Sequence, residues 1–138
     1  MTETVGSTRG RVLILVVERD PHVRELEAYF LNEAGYDVEF TGDGQLALQR
    51  AEELRPAIIV TEVLVPKLDG LALCRRIKQD PDTKDIMVLI FSILAAGARA
   101  REAGADAFQM KPLAEHRLVE TVRQLIAQRL SQTDGQNG

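Results

Sequence analysis

The chain has 138 residues, a formal net charge of −4, 45% apolar residues and 28% charged residues. This is the size of a single domain with enough apolar side chains for a core. The acidic balance argues against a nucleic-acid domain, whose phosphate contacts need a basic stripe. No apolar run approaches the roughly 20 residues that cross a bilayer, and the start MTETVGSTRG lacks the apolar stretch of a secretory signal. With Cys74 as the one cysteine, no internal disulfide can form. A reducing, cytoplasmic setting is therefore expected, with no membrane partner.

Residues 1–10 and 131–138 are polar and rich in Gly, Ser and Thr, so both are expected to be disordered tails around one domain at 11–130. Within 11–130, apolar runs alternate with helix-period segments. That alternation predicts a parallel sheet wrapped by helices. The first run, VLILVV (12–17), is continuous, as in a strand buried on both faces. Asp20 can then cap a helix with Pro21 in its first turn, Val23, Leu26, Phe30, Leu31 and Ala34 as its apolar stripe, and Gly35 as its stop. YDVEF (36–40) alternates, so it predicts an edge strand. The next helix follows Gly42-Asp43-Gly44 and turns Ala47, Leu48, Ala51 and Leu54 inward.

AIIV (57–60) is a second buried strand. A helix from Asp69-Gly70 follows, with Leu73, Cys74 and Ile77 inward, and then a third buried strand, IMVLIF (86–91). The segment AAGARAREAGA (95–105) has no large apolar residue and contains Gly97, which predicts a short or mobile fourth helix. ADAFQM (105–110) is mixed and can form the other edge. A last helix at about 114–130 turns Leu118, Val119, Val122, Leu125 and Ile126 inward. Three buried strands between two half-polar ones fit the sheet order 2-1-3-4-5. The fold class is thus α/β, a flavodoxin-like (βα)5 doubly wound parallel sheet.

In such sheets the functional rim lies at the carboxyl ends of the strands. The pattern brings Glu18-Arg19-Asp20, Thr61-Glu62, Ser92 and Lys111-Pro112 to that rim. Several carboxylates, one hydroxyl and two cations should therefore converge there.

With those residues in place, ILVVERDP (14–21), IIVTEVLVPKLDG (58–70), IFS (90–92) and GADAFQMKP (104–112) resemble, in order and spacing, the receiver domain of two-component response regulators. The resemblance covers about residues 11–130. It implies a phosphorelay role in which an aspartate after the third strand accepts a phosphoryl group beside Mg2+. It assigns the phosphoacceptor position to Glu62, the acidic pocket to Glu18, Arg19 and Asp20, the switch pair to Ser92 and Phe108, and the phosphate-binding lysine to Lys111. It further implies a cis Lys111–Pro112 bond, and signalling to a histidine kinase or a downstream effector through the fourth helix, fifth strand and fifth helix, with homodimerisation as an option. A receiver is not an enzyme beyond handling its own phosphoryl group.

The chain departs from that pattern. Glu62 is one methylene, about 1.5 Å, longer than aspartate, and about 1 Å of misplacement can cost on the order of 100-fold in an attack. Arg19 stands where the family usually has an acid that ligates the metal, and a guanidinium only donates. Phe108 lacks the hydroxyl of the commoner tyrosine, and the stretch from Ser92 to Lys111 is a few residues short. These departures predict a stand-alone, atypical receiver in which Glu62 pairs with Lys111 or Arg19, helped by Ser92, and in which no metal or other cofactor is expected. The alternatives are a conventional Mg-dependent, phosphoryl-accepting receiver, a flavodoxin-like cofactor binder and a phosphatase. The loop ERDP has no Gly-rich phosphate cradle for a flavin, and it lacks the Asp-x-Asp of such a phosphatase. His22 and His116 are expected at the surface, and Cys74 in inert core.

Overall fold

The computed structural model describes residues 11–111 and 115–137. Segment 1–10, the Pro112 peptide and the side chain of His116 lie outside the described residues. Five parallel strands, β1 (Leu13–Val17), β2 (Asp37–Thr41), β3 (Ile58–Thr61), β4 (Met87–Ser92) and β5 (Ala107–Met110), form one sheet in the order β2-β1-β3-β4-β5. The helices between and after them are α1 (Pro21–Glu33), α2 (Gly44–Leu54), α3 (Gly70–Gln79), α4 (Gly97–Glu102) and α5 (Glu115–Asn137). This is the expected flavodoxin-like fold.

β1, β3 and β4 are buried along their whole length, because alternate side chains feed two separate cores. Leu15, Val17, Ile59, Val88 and Ile90 face a layer with Ala47, Ala51, Leu73, Cys74 and Ile77 from α2 and α3. Ile14, Val16, Ile58, Val60, Leu89 and Phe91 face a layer with Leu31 of α1 and Leu118, Val122 and Leu125 of α5. The edge strands β2 and β5 are only partly buried, as their mixed sequences predict.

Helix starts follow their capping residues. The Asp20, Asp43 and Asp69 carboxylates accept hydrogen bonds from the backbone N–H groups of His22, Leu46 and Ala72. Gly35, at φ 99°, ends α1 in the left-handed conformation that other residues resist. α4 is short, six residues, as its small side chains foretell.

Two sequence expectations need correction. On α1, Leu26 is 45% exposed, and the residues turned to the sheet are Glu27 and Leu31, one turn apart. A stripe drawn through apolar residues alone was rotated off the true seam. On α5, the helix continues to Asn137, across the segment read as a polar tail. Propagating a helix adds a hydrogen bond per residue once a nucleus exists, so polar residues extend it without a core beneath them.

Candidate functional site

The right ends of β1, β3, β4 and β5 meet at one rim, because the parallel register aligns Val17 with Thr61, Thr61 with Ile90, and Ser92 with Met110. The next residues along are Glu18, Glu62 and Lys111. Glu18 is 4% exposed and Glu62 is 5% exposed, so the rim buries two acids. Between them sits the Lys111 ammonium, 2.5 Å from Glu18 Oε1 and 3.1 Å from Glu62 Oε2. The same ammonium lies 5.6 Å from the centre of the Phe91 ring.

Glu62 is held from every side. Its Oε1 accepts from the Val63 N–H at 2.7 Å, more weakly from the Leu64 N–H at 3.4 Å, and from the Ser92 hydroxyl. Its Oε2 accepts from the Ile93 N–H at 3.2 Å and from Lys111. A carboxylate offers about four lone-pair sites, so five donors leave no free lone pair. Burial by itself would raise the Glu62 pKa. The Ser92 hydroxyl, Lys111 and the Ile93 N–H outweigh burial and hold it below the usual carboxylate range. Burial likewise opposes the charge on Lys111, but Glu18 and then Glu62 raise its pKa above the ordinary lysine value. The loop that carries the Val63 and Leu64 N–H groups is pinned by Gly70, where a Cβ would lie 2.2 Å from the Glu62 carbonyl oxygen. Only glycine permits that approach.

The structure therefore brings Glu18, Glu62, Ser92 and Lys111 together. It does not bring Arg19 to Glu62. Arg19 is exposed, and among the described residues it forms no ion pair. Arg19 lies at the bend between β1 and α1, beyond the last strand residue. Asp20 is also exposed and serves as the α1 cap, while its own N–H donates to Glu18 Oε2 at 3.0 Å. Phe108 is half-buried and packs over Gly97, at the wall of a shallow cavity of about 310 Å3 lined also by Ala100, Arg101 and Asp106. Cys74 is buried, and burial pushes its thiol up to about 11, which makes it inert at neutral pH.

One buried acid is not apparent from the sequence. Glu27, 2% exposed, sits on the α1 face that covers the sheet. Its spacing was visible, since it falls four residues after Val23 and four before Leu31. Its charge hid it.

Residues 14–123 match the response regulator receiver domain family. The chain belongs to that family. The receiver domain is 37% identical over 125 residues to the response regulator MprA of Mycolicibacterium vanbaalenii, covering 90% of this chain and 54% of that protein. It is 33% identical over 116 residues to the DNA-binding dual master transcriptional regulator RpaA of Synechocystis, covering 82% of this chain and 48% of that one. The chain thus spans about half the length of the curated relatives it matches. Among solved structures, the signal receiver domain of a signal transduction histidine kinase from Syntrophus aciditrophicus superposes with a TM-score of 0.79 at 36% identity, covering 84% of this chain and 90% of that one. The two-component class and the fold expected from the motifs are thus both borne out. No helix among the described residues is long and apolar enough to cross a membrane.

Proposed function

We propose that this receiver domain signals without phosphoryl transfer, with the ion cluster Glu18–Lys111–Glu62 standing where a phosphoryl group and a metal ion act in a conventional receiver. The observation that carries this is the saturation of Glu62: its oxygens accept from the Val63, Leu64 and Ile93 N–H groups, the Ser92 hydroxyl and the Lys111 ammonium. A nucleophile must present a free lone pair in line with its target. Glu62 would have to shed hydrogen bonds inside a buried site to do so.

The fit to Mg2+ is poor on the same grounds. Such an ion needs near-octahedral oxygen ligands. The described residues contain no group of three His, Cys, Asp or Glu placed to share a metal ion. An ammonium lies between the two buried acids, and Arg19, beside Glu18 in the chain, is a cation that cannot ligate a metal. Mimicry of the phosphorylated state is partial, since a carboxylate carries one negative charge and a phosphate about 1.5 to 2.

In this reading the domain is not an enzyme and holds no cofactor, and its output is contact with a histidine kinase or a downstream effector. The candidate surface is the side formed by α4, β5 and α5, where Met110 is 46% exposed and the small residues of α4 leave Phe108 accessible from the cavity. Homodimerisation would use the same face. The test is incubation with acetyl phosphate and Mg2+ followed by intact-mass measurement. The mass is expected to stay unchanged. One stoichiometric phosphoryl addition, absent from Glu62→Gln, would establish the conventional phosphoryl-accepting receiver instead.

A further inference from the structure

A second ion pair lies at the end of the sheet opposite the rim, where the strands begin. Lys78, in the last turn of α3, places its ammonium 2.8 Å from Asp106 Oδ2. The same ammonium donates to the Ile86 carbonyl at 2.8 Å and to the Lys84 carbonyl at 3.2 Å. Each of its donors thus has an acceptor. The lysine stem passes Gly104, where φ is 91° and a Cβ would lie 3.3 Å from Lys78 Cγ. Asp106 Oδ2 also accepts from the Val88 N–H at 2.8 Å, and the Asp106 N–H donates back to the Val88 carbonyl at 2.9 Å. The two side chains are 19% and 24% exposed, so water screens this pair less than an ordinary surface pair.

The cluster grips two strands at once. Ile86 directly precedes β4, Val88 lies within it, and Asp106 directly precedes β5. Lys78 therefore fixes the offset of β5 along β4. β5 needs such a device. It is a four-residue edge strand with one hydrogen-bonded neighbour, and its half-buried pattern specifies register weakly. The helix before it, α4, has six residues and no large apolar side chain to hold it down. The offset matters at the rim, where Met110 pairs with Ser92 and the Lys111 N–H donates to the Ser92 carbonyl at 2.9 Å. A slip of one residue would move Lys111 by about 3.3 Å along β4 and turn its side chain to the other face. Its ammonium would then leave Glu62 Oε2, now 3.1 Å away.

We propose that Lys78 is a positioning residue for the rim: by holding Asp106 beside Val88 and the Ile86 carbonyl, it sets the register of β5 that delivers Lys111 to Glu18 and Glu62. The inference deepens the proposed function, because it rests on Lys111 holding Glu62 in place of a phosphate.

The experiment compares the full wild-type chain with Lys78→Met by amide NMR and hydrogen exchange. Methionine keeps most of the length of the stem and removes the ammonium. In the variant the Lys111 N–H, bonded to Ser92, is expected to exchange about tenfold faster, the scale of losing one hydrogen bond to a charged group. The Val63 and Ile93 amide signals, which report on Glu62, are expected to shift with it. The Ala57 N–H, which bonds the Leu13 carbonyl, is the reference and is expected to exchange as in wild type. If Lys78→Met does not fold, Asp106→Asn makes the same comparison by removing the other charge and keeping its shape. The inference is overturned if the Lys111 and Ile93 amides ignore the loss of the pair. It is equally overturned if Ala57 accelerates as much as Lys111, because the pair then supports the whole fold and not the register of β5. Phosphoryl labelling of Glu62 would refute the proposed function but leave this exchange pattern readable, so the two failures are distinguishable.

Discussion

The two layers that cover the sheet are built on different terms. The layer under α2, α3 and α4 buries Ala47, Ala51, Leu71, Leu73, Cys74, Ile77 and Ala100 from its helices, and no charged helix residue. The layer under α1 and α5 buries Leu31, Leu118, Val122 and Leu125, and also Glu27. The strands feed both layers with the same kinds of residue, so the difference lies in the helices. The one buried helix acid lies in the layer under α1 and α5, where burial pushes its carboxyl up to about 8 and so favours the neutral form. Apolar packing makes one layer a scaffold, while the other also carries the chemistry of the rim.

That contrast can be broken by substitution. Ile77→Ala, in the wholly apolar layer, is expected to lose about 2–5 kcal/mol, because it deletes methyl groups and leaves a cavity; urea denaturation reads the loss. Glu27→Leu, in the mixed layer, is expected to act in the opposite sense. Replacing a buried polar group by an apolar one of similar size is often neutral or stabilising, here by about 1 kcal/mol at pH 8 and less at pH 5. Burial raises the folded-state Glu27 carboxyl from 4.5 to about 8, so the stability tied to its proton is full below 4.5, mostly retained at pH 5 and nearly gone by pH 8. A large loss on Glu27→Leu at both pH values would mean that the acid makes bonds essential to packing, and would erase the distinction between the layers.

The sequence carried the scaffold well, because its signals are local and strong. Continuous runs such as 12–17 and 86–91 are too short for helices and rich in β-branched residues, so they favour strands with two covered faces, and Asp20, Asp43 and Asp69 announce helix starts by chemistry that acts within one turn. The rim was legible in membership, since Glu18, Glu62, Ser92 and Lys111 each sit at a strand end. It was not legible in pairing. Whether Glu62 reached Lys111 or Arg19 depended on how the bend after β1 turns Arg19, and a bend has no side-chain period to read. Glu27 was missed for another reason: periodicity assigns a charged residue to solvent, and only the tertiary neighbourhood around Lys111 tells that this one is inside. The extension of α5 to Asn137 was missed because helix propagation needs no core.

At the rim one ammonium, Lys111, serves both buried acids, Glu18 and Glu62, in place of a metal ion. The most direct test is an amide NMR titration of the protein with millimolar Mg2+, following the N–H groups of Val63, Leu64 and Ile93 that bond to Glu62. These signals are expected to stay in place, because five donors fill the Glu62 oxygens and the Lys111 ammonium already lies between the two acids. A saturable shift confined to those amides would contradict the account.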